Sequence, residues 1–167
     1  MDLDKLGLGE KIASASAIAL FIFMFFDWFT AEASGKAGSF TVSASEGGNA
    51  WDALDNIPIF LMIVIIAVLV LAALRLADAN WEPPFPASVA VAVLGAISVL
   101  LILYRIIDPP GEEVSFQGVS VDVSPAFGIF ISLIAAAGIT YGGYRAMQEE
   151  GVSIGGAGTS PPTPPQA

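Results

Sequence analysis

The chain has no cysteine and no histidine among its 167 residues. Their absence excludes disulfides, thiolate nucleophiles, acylation at an N-terminal cysteine, zinc fingers, haem ligation by imidazole and imidazole acid–base chemistry. Charge is scarce too, at 13% of residues, where a typical soluble domain has about 25%. Positive charge is scarcest: six Lys and Arg against 16 Asp and Glu leave a net charge of −10. A phosphate backbone is held by stripes of Lys and Arg, so nucleic acid is not an expected partner, and neither is a polybasic grip on lipid headgroups. An enzyme would have to work with carboxylates, hydroxyls and six bases. We therefore expect a non-enzymatic protein without a cofactor or a metal.

What the chain has in abundance is apolar surface: 55% hydrophobic residues and a mean hydropathy of +0.75. Four apolar runs stand out, at 12–30, 57–74, 85–107 and 125–144. Each is about 18–23 residues long, enough at about 1.5 Å per residue to cross a hydrocarbon core of about 30 Å. Pro58, Pro86 and Pro125 fall within the first turn of their runs, where the missing N–H removes no helical hydrogen bond. Asp108-Pro109-Pro110-Gly111 stops the third run. The expected fold is an all-α membrane protein, an antiparallel bundle of four transmembrane helices.

Lys5 and Lys11, the apolar stretch and Ala31-Glu32-Ala33 also imitate a cleaved signal peptide. The run is longer than a usual signal core and ends in aromatics, which favours a retained span. Lys5, Lys11, Arg75 and Arg145 fall on one side of the bundle, Lys36 and Arg105 on the other, so the positive-inside rule puts both termini in the cytoplasm of a plasma-membrane protein. Trp28, Trp51 and Tyr104 would mark the outer interface and Trp81 the inner one.

The membrane domain is expected to occupy 1–148, with outer loops at 31–56 and 108–124 and a disordered Gly/Pro-rich cytoplasmic tail at 149–167. "EVSFQGVSVDV" alternates and turns at Gln117-Gly118, a hairpin signature, and "SFTVSAS" in the first loop can add a strand to it. The bundle should therefore carry a small extracytoplasmic cap of about three short strands. "NAWDALD" suits a short amphipathic turn before the second span.

The layout resembles the claudin-type four-helix topology, although the paired cysteines and the tryptophan motif of claudin loops are missing. Gly9–Ile12 ("GEKI"), Trp28-Phe29, Asn49–Ala53 ("NAWDA") and Tyr104–Pro110 ("YRIIDPP") resemble the matching stretches of small four-span bacterial membrane proteins of the actinobacteria. The resemblance covers most of residues 9–148 and implies a fold and a location; that group supplies no activity to carry over. Where it often has a neutral residue before the tryptophan, this chain has Asp27.

Asp27 and Arg105 both lie near the outer ends of runs that cross in the same direction, so an ion pair between them is expected, with Asp108 competing for the guanidinium three residues away. Snorkelling of both charges to the headgroups and a proton or ion relay are the other readings. Gly138 and Gly142 form a small-xxx-small seam, for packing within the chain or between copies in an oligomer. Glu112-Glu113 and Asp52/Asp55 read as a solvated acidic surface rather than a cation site.

The lipid bilayer is one expected partner, and another membrane or extracytoplasmic protein the second. The functional expectation is a structural or protein-interaction component. Its alternative is a small channel or transporter subunit, whose polar lining would have to come from Ser14, Ser16, Ser98, Ser132 and Thr140.

Overall fold

A computed structural model describes residues 5–37, 40–53, 56–77, 86–110, 115–116 and 119–152. The elements run α1 (Leu8–Phe23), β1 (Asp27–Ala37), β2 (Phe40–Asn49), α2 (Ala50–Ala53), α3 (Ile57–Leu76), α4 (Ala87–Ile107), β3 (Ser115–Phe116), β4 (Val119–Pro125) and α5 (Phe127–Glu149). Three helices, α3, α4 and α5, are long and apolar enough to cross a membrane. α1, with 16 residues, is shorter, about 24 Å at the helical rise.

The helices are apolar on both sides. Along α3, Leu61, Ile65 and Val68 form the buried stripe, while Ile59, Ile63, Ile66 and Val70 form an exposed one of the same chemistry. On α4, Val93, Ile97, Leu100, Tyr104 and Ile107 repeat the pattern. A helix in water would carry charge on that face. Where lipid is the solvent the hydrophobic effect does not drive the helices together, and close packing must do so.

α5 supplies that packing. It lies between α1 and α4, with glycines on both contacts. A methyl carbon at Gly142 would lie 2.5 Å from the Ala13 nitrogen and 2.7 Å from the Gly9 carbonyl oxygen. On the other side, one at Gly95 would lie 2.7 Å from the Thr140 nitrogen. Neither seam has room for a side chain at these points.

The sheet is antiparallel and has four strands in the order β2-β1-β4-β3, three of them long. The expected hairpin is present: Ser115 pairs with Ser120 and Phe116 with Val119 around positions 117–118. The contribution of the first loop differs from expectation. It supplies two strands rather than one, and the inner strand β1 pairs with β4 from Phe29↔Pro125 to Gly35↔Val119. β1 takes its first residues from what the sequence presents as the end of a 12–30 span.

α1 instead begins at Leu8 and ends at Phe23. β1 follows α1 after three residues, and β4 leads through Ala126 into α5. The helix pair α1/α5 is thus continued by the strand pair β1/β4, tied at the junction by the Ala126 N–H donating to the Trp28 carbonyl at 2.8 Å.

The spans differ from expectation only at their ends in the other cases: α3 runs on to Leu76 and α5 to Glu149. The tail expected from 149 lies outside the described residues from 153 onward, as does Trp81.

Candidate functional site

The two ends of the bundle concentrate the polar chemistry. At the sheet end, α1 stops inside "FFDWF". The strand register slips between Asp27↔Asn49 and Phe29↔Gly48, so Trp28 is the extra residue of a β-bulge. Alternation would put Trp28 and Phe29 on opposite faces. The bulge lets both turn inward, and they are 0% and 3% exposed. The Trp28 indole N–H then donates to the carbonyl of Phe23, the last residue of α1, at 2.9 Å. The next carbonyl, of Met24, accepts from the Ala50 N–H at 3.3 Å. At this helix end the Phe23 carbonyl thus accepts from the indole and from the Phe26 N–H at 3.3 Å, and the Met24 carbonyl from a backbone amide. Trp28 is a core residue, not the interface aromatic its position suggests. Trp51 and Tyr104 are exposed.

Asp27 consequently does not sit in a helix. It opens β1, is exposed, and its carboxylate lies against the backbone of Gly47, where an added methyl carbon would meet Oδ2 at 2.5 Å. The expected ion pair with Arg105 is not formed. Counting rise along a continuous helix overestimated how far α1 carries its residues, and the chain has already turned into the sheet. Asp108 does not take the guanidinium either; it accepts from the Tyr104 hydroxyl at 2.8 Å. Arg105 lies 5.8 Å from the Tyr104 ring centroid, and its Nε is shielded without a hydrogen-bond partner.

The opposite end is held by side chains that the sequence reading overlooked. Arg75, near the C-terminus of α3, pairs with Glu10 of α1 at 3.3 Å and with Glu150, which follows α5. Ser88, in the first turn of α4, donates to the second oxygen of Glu150 at 2.5 Å. Glu149 accepts from the Gly9 N–H at 3.3 Å, and Glu10 reaches back to the Gly7 N–H at 3.1 Å. Both carboxylates sit where the start of α1 leaves N–H groups free and the helix dipole is positive.

All four long helices therefore meet in one latch. Just inside it, a cavity of about 30 Å³ is lined by Glu10, Ser14 and Ser88 among small apolar residues, and the Ser14 hydroxyl has no hydrogen-bond partner. The signal was present in the sequence: Glu10, Arg75 and Glu149-Glu150 fall at the same end of antiparallel runs.

Gly138 and Gly142 both face α1, Gly138 against the Ser16 hydroxyl. Gly9, Gly95 and Gly143 make equally close approaches and were not singled out. No family model matches the sequence, and no curated protein matches it significantly. Among the described residues no three acidic side chains are grouped to hold a metal ion. Asp55, Glu112 and Glu113 lie outside those residues.

The sheet itself is acidic on both faces. Glu32 and Asp122 are directly opposite each other on the face that also carries Thr30, Ser34, Ser120 and Ser124. Ser34 and Ser120 share a hydrogen bond across it at 3.1 Å. On the other face, Phe29, Ala31, Glu46, Asp52, Pro110 and Val123 border a recess of about 640 Å³.

Proposed function

We propose that the chain is an integral plasma-membrane protein of four antiparallel spans that displays its sheet on the extracytoplasmic side and works by protein contact rather than catalysis. The observation that carries this reading is the continuation of the α1/α5 helix pair into the β1/β4 strand pair. A helix pair anchored in lipid thereby holds a sheet rigidly outside it. α1 serves as the fourth span although it is short. From Ile18 onward its outer face is apolar and aromatic, with Ile18, Phe21, Ile22, Phe25 and Phe26 exposed. Phe21 and Phe25 pack edge to face at 5.3 Å, and Phe25 meets Trp51 at 6.4 Å, forming an aromatic belt at the sheet end. A span shorter than the hydrocarbon core is accommodated by thinning the bilayer at modest cost.

A channel or transporter subunit would need a polar path through the bundle. Among the described residues the fully buried hydroxyls in mid-helix are Ser98 and Ser132, and Ser98 donates back to Leu94 of its own helix. Proton relays normally string several ionisable groups together.

Single cysteines placed at Ser45 and Gln148 test the topology in intact cells. A membrane-impermeant maleimide should label Ser45→Cys directly and Gln148→Cys only after permeabilisation. The reverse pattern would overturn the display reading.

A further inference from the structure

Among the described residues strand β2 is an edge: in the order β2-β1-β4-β3 it is paired on one side only, over 10 residues. An edge of that length presents a row of backbone N–H and C=O groups able to template another strand. The usual protections are sparse. β2 contains no proline and a single charge, Glu46. Glu46 also borders the recess of about 640 Å³, whose floor is Phe29, Ala31 and Val123 and whose rim includes Asp52 and Pro110. That volume is in the range of pockets that accept a side chain or small ligand.

Among the described residues no basic side chain lines the recess, and neither Glu46 nor Asp52 has an ion-pair partner there. Asp27 is not part of it: its carboxylate lies against Gly47, which alternates with Glu46 along β2 and so presents the opposite face.

We propose that the β2 edge and this recess together are the docking site for an extended, basic segment of a partner protein, which adds as a fifth strand and lays an Arg or Lys side chain into the recess. This inference rests on the display reading above and names its partner's chemistry. Main-chain bonds to β2 supply affinity, and the side chain facing the recess supplies selectivity. The aliphatic stem of that side chain covers the apolar floor while its cationic head meets Glu46 and Asp52. A second copy of this chain is a poor occupant, because β2, "FTVSASEGGN", would bring no cation to Glu46.

The test uses the full-length protein in lipid nanodiscs and a fluorescent peptide, acetyl-Thr-Arg-Thr-Val-Thr-Arg-Thr-amide, followed by anisotropy. Saturable binding is expected, weakened about tenfold when Glu46→Gln and Asp52→Asn are combined. It should be abolished when the arginines become glutamates. Methylating the peptide nitrogens that face β2 should also abolish it, and methylating the alternate set should not. Both acids are exposed, and an unchanged melting temperature of the double variant would show that the fold is intact.

No saturable binding at about 1 mM peptide, or equal binding by the glutamate peptide, would overturn the proposal. So would efficient homodimer formation by a short bismaleimide through Ser45→Cys, which would mean that the edge is covered by a second copy. Failure of peptide binding with Ser45 labelled from outside removes only the docking site. Labelling of Ser45 from the cytoplasm removes the display reading itself.

Discussion

The two ends of the same helices are fixed by different physics. At the sheet end, α1 and α5 are joined by covalent continuity into paired strands, by backbone hydrogen bonds, and by a tryptophan wholly out of contact with solvent. At the latch end the helices meet through side-chain carboxylates around Arg75, whose side chain is 51% exposed. Exposed ion pairs are screened by salt and contribute only about 0.2–1 kcal/mol each. The sheet end should therefore be the rigid reference, and the latch end the part that opens first.

The largest effect should come from breaking the rigid end. Trp28→Ala removes a buried indole and the donor to the Phe23 carbonyl, and should cost about 3–5 kcal/mol, read as a lower unfolding midpoint in detergent. Trp28→Phe separates the two losses: it keeps most of the packing and should cost only about 0.5–1.5 kcal/mol for the lost indole hydrogen bond, because the Phe23 carbonyl still accepts from the Phe26 N–H at 3.3 Å.

Next comes the shared middle. Gly142→Val places a branched side chain against the Ala13 and Gly9 backbone, and should cost about 1–3 kcal/mol or more through forced separation of α1 and α5. The same substitution at the exposed Ala137 on that helix should be nearly neutral. Equal losses at the two positions would mean that the seam is not tight.

A smaller effect is expected at the latch. An Arg75→Ala/Glu150→Gln double-mutant cycle should give a coupling of about 0.2–1 kcal/mol that fades in high salt. Hydrogen exchange should protect β1 and β4 more than the start of α1 in the same samples. A cycle between Asp27 and Arg105 should give no coupling beyond about 0.3–0.5 kcal/mol of error, because no contact joins them.

The smallest effect should be a gain. Asp122→Asn removes a like-charge contact with Glu32 across the β1/β4 pair and should add up to about 1 kcal/mol.

Legibility followed the range of the interactions involved. α3, α4 and α5 could be read because a long apolar run bounded by Pro, Asp and Gly is a local property, and so is the pairing of β3 with β4, whose paired residues lie at most five positions apart. Positions 24–30 were misread because aromatic and apolar residues suit a membrane helix and a buried strand alike, and period alone does not separate them over a short stretch. The latch was missed for a related reason. The charges were visible, but which carboxylate meets Arg75 depends on how helices 60 to 75 residues apart in sequence are packed.

By itself, then, the sequence determined the three helices long and apolar enough to cross a membrane and the excess of acid over base, because these depend on composition and run length. Only the tertiary structure decided where the first helix ends. That choice depends on β4, about 90 residues away, which offers β1 a full ladder of backbone partners from Phe29 to Gly35, and on a bulge that buries Trp28 over the end of α1. A backbone leaving a helix must find its hydrogen bonds elsewhere. Here they come from the strand that leads into the neighbouring helix, so Asp27 opens β1 and lies against Gly47 of β2 rather than continuing α1.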